Sequence, residues 1–429
     1  MRASDGRLSC PSAGGVPVLK GGNVTGTQRS GGQFRRYLIG LIAVSVTALA
    51  ITVAWRVGTL GPGGAVASTN SPGSSAVPSP GLTGSPPTAS PLPATPVPPT
   101  PEPTPVLVRA PLTGLPVAPD VAARQPIAVM IDDHADARPQ SGFNAASVVW
   151  HAPAEAGIPR YMLIFQDEIP EIVGPVRSAR QYYVEWAAEW NALYVHAGGS
   201  PDAIATLRSK GQGEWVYDAD EFRYGGRYLW RATDRVPPHN VYTDGEHLRD
   251  LAAHLGAADE PLEPVWSFGP DAAPGQRPDG GTIRVVYPYE TITYRYDAAD
   301  NQYVRYACPG VCSIKRSTSK HVDRADGKVV TPENVVILRM PFAPLNDGHP
   351  NKYRLEAHNV GTGEAWIASN GRTVKGTWSK ASSKAPTLLF GPGGAPITLT
   401  AGQTFVQVIA LNYAFDIRDG SRPVIPPGP

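Results

Sequence analysis

One uncharged apolar run near the start of the chain limits where the remaining residues can fold. Residues 37–55 read YLIGLIAVSVTALAITVAW, nineteen residues without a charged side chain. As an α-helix rising about 1.5 Å per residue, this run just spans a hydrocarbon core of roughly 30 Å. A buried helix of a globular core is the alternative, but the flanking basic tail and proline-rich run offer it nothing to pack on. We therefore predict a transmembrane anchor over residues 37–55.

The charges around the apolar run predict its orientation. Residues 1–36 hold six basic side chains against Asp5 alone; Arg35 and Arg36 directly precede the run and only Arg56 follows it closely. Excess positive charge marks the cytoplasmic side of a membrane helix. We therefore predict a basic cytoplasmic tail, an uncleaved single-pass anchor and folded domains outside the cell membrane. A cleavable signal peptide is the alternative.

Residues 56–108 have the composition of a spacer. Within them, residues 61–105 contain fourteen prolines, and Gly, Ser, Thr and Ala fill most of the other positions. Such a segment cannot bury a core and tends to extended polyproline conformations. We predict a disordered stalk that holds the folded part away from the membrane.

Residues 109–256 alternate between apolar runs and helical patterns, which predicts an α/β domain. Strands are predicted at residues 127–131, 148–150, 161–165 and 192–195. A helix is expected to begin at Pro175 and to bury a stripe formed by Val176, Ala179, Tyr183, Trp186 and Trp190. Ser200 and Asp244 are the predicted N-caps of two further helices.

Residues 257–280 are rich in Pro, Gly and acidic side chains and are predicted to be a linker. From there to residue 429 the apolar residues alternate with period two, and turns such as Asn370-Gly371 separate the runs. This pattern predicts an antiparallel all-β domain. It also contains Cys308 and Cys312, which we predict form a disulfide on the outer side of the membrane; two free thiols are the alternative.

Several long segments in a fixed order carry a resemblance to a known family. They are PLTG at 111–114, IAVMIDDHADARPQSG at 127–142, APAEAGIPRYMLIFQ at 152–166, GPVRSAR at 174–180, YVHAGGSP at 194–201, PHNVYT at 238–243, GTWSK at 376–380 and AGQTFVQV at 401–408. These segments resemble the YerB-like family of bacterial envelope proteins, a domain of unknown function. The resemblance implies an extracytoplasmic location and a two-part architecture, and it supplies no activity.

The chain departs from that family at three places. Its members are often lipoproteins, whereas this chain has a predicted transmembrane anchor and Cys10 has no apolar stretch before it. Asp132-Asp133-His134 stands where the family is expected to have Asp-Asn-His. The segment around Cys308 and Cys312 resembles an insertion.

The arginines of the first domain suggest an anion site. Arg177 and Arg180 fall in the first two turns of the helix predicted from Pro175, three residues apart and so on one face. A helix N-terminus offers free N–H groups to anions, and so does a glycine-containing turn before a helix. The predicted ligand-binding residues are Arg138, Arg160, Arg177, Ser178, Arg180, Gly198, Gly199 and Ser200. The alternative, equally weighted, is a structural network in which the arginines pair with Glu155, Asp132 or Asp133.

Acid–base and metal chemistry have weaker support. Asp133, Glu155 and His196 are the residues we would assign to proton transfer if the protein were an enzyme. Asp132, Asp133, His134 and Asp136 follow the first strand, where loops of α/β domains often hold ligands. Binding of a divalent metal by these four residues is an alternative, but they lack the spacing of an HExxH site, and we predict neither a metal nor a cofactor.

Together these features predict a membrane-anchored envelope protein that binds an anionic envelope ligand or a partner protein through its α/β domain. The chain beyond residue 36 is mildly acidic, which argues against nucleic-acid binding because that depends on clustered Lys and Arg. The first alternative is a hydrolase or transferase acting on an envelope polymer. The second is a structural interaction module without a small ligand.

Overall fold

The apolar run after residue 126 forms a strand in which all six side chains are buried, Ile127–Asp132. The computed structural model describes residues 106–307 and 319–421. The predicted anchor, all but the end of the stalk, and the Cys308–Cys312 pair lie outside these residues and stay predictions. Within the described ranges, no helix combines the length and the apolarity that crossing a bilayer requires.

Strands dominate the described part of the chain. Those before residue 258 are β1 (Val108–Arg109), β2 (Pro116–Val117), β3 (Ile127–Asp132), β4 (Val148–Glu155), β5 (Ile158–Phe165), β6 (Leu193–His196), β7 (Tyr217–Asp220), β8 (Trp230–Arg231) and β9 (Val241–Tyr242). The later strands are β10 (Ser267–Gly269), β11 (Gly281–Val286), β12 (Thr291–Asp297), β13 (Gln302–Ala307), β14 (Ser319–Lys320), β15 (Asn334–Met340), β16 (Phe342–Pro344), β17 (Leu355–Ala357), β18 (Gly361–Ser369), β19 (Arg372–Lys380), β20 (Leu388–Phe390), β21 (Thr398–Thr400), β22 (Thr404–Ala410) and β23 (Phe415–Asp419).

The α-helices of the described residues are short and belong to the first half of the fold. The α-helices of the described residues are α1 (Pro119–Ala122), α2 (Gln181–Ala187), α3 (Pro201–Lys210), α4 (Glu221–Tyr224) and α5 (Gly245–His254). Asp244 caps α5 as predicted, since its side chain accepts a hydrogen bond from the His247 N–H. Ser200 occupies the N-cap position of α3 as predicted, but its side chain makes no cap hydrogen bond.

One ten-stranded sheet runs through both halves of the chain, in the order β20-β19-β18-β15-β22-β4-β5-β3-β6-β7. A second sheet of five antiparallel strands has the order β14-β13-β12-β11-β23. The prediction that the second domain is purely antiparallel is wrong, because β22 pairs in parallel with both β15 and β4. The alternation of apolar and polar residues along a strand shows which side chains are buried. It does not show whether a strand from a distant part of the chain pairs with it in parallel or antiparallel.

The central strands of the large sheet are buried on both faces. Ile127, Val129 and Ile131 of β3 pack in a core that includes Ile283 and Val285 of the five-stranded sheet. The intervening side chains of β3 pack in a second core, which contains the aromatic residues of α2 and the buried face of α3. Strands covered on both sides are apolar at nearly every position, which explains why β3 reads as a continuous apolar run.

The helix predicted to begin at Pro175 begins at Gln181 instead. Residues 175–180 are extended, because their backbone bonds to neighbouring segments: the Arg177 N–H donates to the Met130 carbonyl at 2.9 Å, and the Ala179 N–H donates to the Gly198 carbonyl at 2.8 Å. Tertiary hydrogen bonds therefore override the local helical pattern. Arg177 is not on a helix, and Arg180 precedes the first turn of α2 as its N-cap.

The predicted linker, residues 257–280, packs against the later part of the chain. β10 pairs in parallel with β21, and the buried Trp266 donates its indole N–H to the Thr387 carbonyl at 2.9 Å. The two parts of the fold are therefore joined by a shared sheet and by this packed segment.

Candidate functional site

Arg160, Arg177 and Arg180 form an arginine cluster beside the end of β3. Arg160 of β5 lies in register with Asp132, the last residue of β3. The extended segment 175–180 carries the other two arginines past this strand end and then pairs with the turn before α3. The fold thus brings together three of the predicted ligand residues, although not through the helix that was expected to carry them.

Carboxylates already pair with each member of the arginine cluster. Arg160 and Arg180 both make ion pairs with Glu155, and Arg177 Nε lies 3.1 Å from Asp132 Oδ2. Although burial opposes ionisation, the two arginines hold the pKa of Glu155 below its usual value. These contacts match the alternative prediction, a structural network in which the arginines pair with nearby carboxylates. Any anionic ligand therefore has to bind beside existing ion pairs.

The cluster nevertheless has more positive than negative charge. Three guanidinium groups face the carboxylates of Asp132 and Glu155, and burial together with the nearby Arg160 lowers the pKa of Arg180 to about 10. Arg180 Nε and the Ser200 hydroxyl are buried without a hydrogen-bond partner among the described residues. Arg177 is the accessible member, with 24% of its side chain exposed.

The turn of Gly198, Gly199 and Ser200 lies directly beside this cluster, but its amides are largely occupied. The Gly198 N–H donates to Asp220 Oδ1 at 2.9 Å, and the Ser200 N–H donates to the Ala179 carbonyl at 3.2 Å. Gly198 has a φ of +63°, and a Cβ there would lie 2.9 Å from the Phe222 ring. The glycines therefore serve a tight turn. Ser178 contributes its carbonyl, which accepts a hydrogen bond from Arg160 at 2.5 Å.

Arg138 belongs to a different, fully enclosed network. Its NH2 group lies 2.8 Å from Asp133 Oδ1 and 2.8 Å from Glu290 Oε2. His151 Nε2 lies 3.0 Å from the other oxygen of Asp133. The described contacts of Arg138 therefore connect the loop after β3 to the five-stranded sheet, where Glu290 precedes β12.

The two carboxyl groups of this network have opposite pKa shifts. Burial and the neighbouring Asp133 carboxylate raise the pKa of Glu290 well above its usual value. Burial also opposes ionisation of Asp133, but Arg138 and hydrogen bonds from Glu290 and His151 lower the pKa of Asp133. The raised pKa of Glu290 and the lowered pKa of Asp133 together assign the proton of the pair to Glu290.

The three residues assigned to proton transfer occupy separate environments. Asp133 bonds to Arg138 and His151, and Glu155 pairs with arginines, as described above. His196 is fully buried, with Nε2 at 2.7 Å from Asp218 Oδ1 and Nδ1 at 2.8 Å from the Gly198 carbonyl. Among the described contacts none joins these three residues.

Sequence reasoning missed two residues that complete the surroundings of Asp132 and Asp133. His239 Nδ1 lies 2.7 Å from Asp132 Oδ2, and its ring stacks on His134 at 4.8 Å between centroids. Glu290 completes the buried network. His239 belongs to the PHNVYT segment, which carried the family resemblance, but its distance along the chain gave no sign of a contact with β3.

Two cavities among the described residues are lined by charged side chains. One of about 240 Å³ is lined by Asp133, Arg138, Gln140, Tyr161, Arg305 and His321, among others. A second, of about 540 Å³, is lined by the carboxylates of Asp167, Glu168, Glu171, Asp323, Asp326 and Glu333 together with Lys328. The carboxylates of the second cavity oppose an anion, and Arg138 of the first cavity already pairs with Asp133 and Glu290, so the arginine cluster remains the candidate site.

Comparisons with known proteins match the same part of the chain. Residues 112–258 match the domain described as "Protein of unknown function (DUF3048) N-terminal domain", and residues 283–406 match the corresponding C-terminal domain. The chain is 30% identical over 318 residues to the Bacillus subtilis (strain 168) protein named "Putative lipoprotein YerB", covering 73% of this chain and 89% of that protein. The crystal structure of YerB protein from Bacillus subtilis superposes with a TM-score of 0.61 at 26% identity, over 72% of this chain and 99% of that one.

Proposed function

The chain belongs to the YerB-like family defined by the two DUF3048 domains, and from this premise we propose that it is a membrane-anchored extracytoplasmic envelope protein whose arginine cluster binds an anionic ligand. The ligand would be an anionic group of the envelope or of a partner protein. The excess positive charge of Arg160, Arg177 and Arg180 over Asp132 and Glu155 is the observation that carries the proposal.

The location is supported by two independent features. The relative from Bacillus subtilis is named "Putative lipoprotein YerB", and this name supports an anchored location outside the cytoplasm. In this chain, residues 37–55 have the length and apolarity of a transmembrane helix, and basic residues precede them. We propose that the helix replaces the lipid as anchor and that the proline-rich stalk separates it from the folded domains.

This topology predicts the outcome of protease treatment. Protease added outside intact cells is expected to release or digest everything beyond the stalk and to leave residues 1–55 with the cell. Immunoblots with separate tags at the two termini measure this directly. A C-terminal tag that stays protected until the cells are broken would contradict the topology.

Ligand binding predicts a thermal-shift result. Sulfate or phosphate, added to the purified full chain at constant ionic strength, is expected to raise the melting temperature, because a ligand that binds only the folded state stabilises it by mass action. At one hundred times the dissociation constant the gain is about 2.7 kcal/mol. Arg177→Gln is expected to abolish most of this rise.

Arg339→Gln is the matched control for this experiment. Arg339 also pairs with one carboxylate, Glu364, and 25% of its side chain is exposed, nearly the same as for Arg177. We expect its anion response to equal that of the wild type. An anion response that survives in Arg177→Gln, or a wild type that responds no more to sulfate than to chloride, would leave the arginine cluster as a purely structural network.

A further inference from the structure

We propose that His134, Asp136 and His239 form a binding site for a divalent transition cation of the zinc type. One potential ligand atom of each residue lies within 4.8 Å of those of the other two. Two imidazole nitrogens and one carboxylate oxygen are a donor set that suits zinc and its neighbours among the divalent metals. The proposal does not depend on anion binding by the arginine cluster.

His239 is oriented for coordination by a carboxylate behind it. Its Nδ1 lies 2.7 Å from Asp132 Oδ2. Because an ionised carboxylate only accepts hydrogen bonds, Nδ1 carries the proton and Nε2 keeps its lone pair. A histidine held by a carboxylate through its other nitrogen is the usual arrangement behind metal-ligating histidines.

Asp132 is itself held in place from three directions. It pairs with Arg177 and His239, and its Oδ1 accepts a hydrogen bond from the His134 N–H at 3.1 Å. The aspartate therefore links the two histidines of the proposed site. Only 12% of the His239 side chain is exposed, so its ring has little freedom to turn away.

The other two ligands come from one tight turn. His134 and Asp136 flank the first residue of the 3-10 turn Ala135–Ala137, which places His134 Nδ1 3.4 Å from Asp136 Oδ2. The turn is fastened by the Tyr289 hydroxyl, which accepts a hydrogen bond from the Ala135 N–H at 3.0 Å. A cation bound through His134 Nδ1 would replace the long 3.2 Å hydrogen bond that this nitrogen accepts from the Asp136 N–H.

The site is open to solvent on one side. The side chains of His134 and Asp136 are 35% and 68% exposed, so a cation can enter without unfolding, and water can complete its coordination. Three protein ligands with a free position are typical of zinc sites that bind a further ligand. The nearby charges of Asp132 and Asp136 are offset by those of Arg177 and of Arg235, which bonds to the carbonyls after Asp136, so the cation enters surroundings of balanced charge.

The buried group of Asp133, His151 and Glu290 is a poorer candidate for a cation. Its potential ligand atoms also lie close together, but Arg138 already pairs with both carboxyl groups. A dication there would have to displace a buried guanidinium. The exposed group lacks this obstacle.

Calorimetric titration of the purified full chain with zinc chloride tests the proposal. The protein is first freed of metal with a chelator, and its three cysteines are reduced and alkylated so that thiols cannot bind the ion. We expect one zinc per chain in a buffer without phosphate or sulfate. His239→Gln and Asp136→Asn are each expected to lower the affinity by at least about tenfold, the range seen when such ligand or supporting groups are lost.

His247→Gln is the matched control, because His247 also pairs with a neighbouring aspartate, Asp244, at 2.8 Å, and is partly exposed. Its zinc affinity should equal that of the wild type. Asp136→Asn alters an exposed side chain, and an unchanged melting temperature without zinc will show that this variant is folded. Absence of stoichiometric zinc in the wild type, or equal binding by the wild type, His239→Gln and Asp136→Asn, would overturn the proposal whatever the result with anions.

Discussion

Lys380→Met is expected to lower the free energy of unfolding by about 3–5 kcal/mol, the usual cost of leaving one member of a buried ion pair without its partner. Lys380 Nζ lies 2.7 Å from Glu189 Oε1, and both side chains are fully buried. Burial raises the pKa of Glu189 even though Lys380 and Thr387 oppose this shift. Without the ammonium group, Glu189 either stays charged in the core or takes up a proton, and both cost stability.

Glu189→Gln combined with Lys380→Met provides the decisive comparison. The glutamine oxygen can still accept the hydrogen bond from Thr387 Oγ1 that Glu189 accepts at 2.6 Å, and no charge is buried. Since replacing both members of a buried pair is often close to neutral, the double variant should regain at least half of the loss in urea unfolding. A double variant as unstable as Lys380→Met would show that the ion pair is not the cause.

An exposed pair calibrates the same experiment. Lys210 Nζ lies 2.6 Å from Glu214 Oε1, a distance similar to that of the buried pair, but 36% and 59% of the two side chains are exposed. Surface pairs contribute roughly 0–1 kcal/mol, so Lys210→Met should change stability by less than about 1 kcal/mol. The buried pair also matters for the fold. Lys380 ends β19 and Glu189 follows α2, so the pair joins the two family domains.

The sequence predicted local structure best where local residues determine it. β3 was recognisable because five consecutive apolar residues are followed by Asp132. The starts of α3 and α5 were recognisable because Ser200 and Asp244 are typical N-cap residues. The segment 175–180 was mistaken for helix because Val176 and Ala179 fit a helical stripe. Its extended form depends on carbonyl groups of Met130 and Gly198, which no local pattern reveals.

In the candidate site, too, the sequence indicated the types of contact but not which residues make them. Pairing of arginines with Glu155, Asp132 and Asp133 was foreseen as an alternative, and the structure contains all of these pairs. Which arginine meets which carboxylate depends on strand register, such as Asp132 opposite Arg160. Glu290 and His239 could not be assigned, because they reach the end of β3 from distant parts of the chain.

Glu290→Gln is expected to become more stable than the wild type as the pH rises. Because folding raises the pKa of Glu290, the folded state keeps this carboxyl group protonated to a higher pH than the unfolded chain, which loses the proton near pH 4.5. The folded state therefore binds more protons above that pH, and wild-type stability falls by up to about 1.4 kcal/mol per pH unit until the folded pKa is reached. Glutamine imitates the neutral acid and removes this loss.

Charged and titratable groups surround Glu290 and influence its pKa. Asp133 and Arg138 contact it directly, His151 Nε2 lies 3.8 Å away, and Arg305 adds a more distant positive charge. Urea unfolding of both proteins at pH 5 and pH 8 measures the difference. If the stability of Glu290→Gln relative to the wild type is the same at the two pH values, Glu290 is not the protonated member of the pair.

Replacing both carboxyl groups is expected to cost far more stability than replacing the carboxyl group of Glu290 alone. In Asp133→Asn alone, Glu290 can ionise and take over the pairing with Arg138, which limits the loss. In Asp133→Asn with Glu290→Gln, the buried guanidinium has neither of these carboxylates, and we expect a loss of about 3–5 kcal/mol. The loss in the double variant should therefore exceed the sum of the two single losses, because each carboxyl group can replace the other as the anion. Additive losses would mean that Arg138 depends on Asp133 alone and that Glu290 serves only to donate a hydrogen bond.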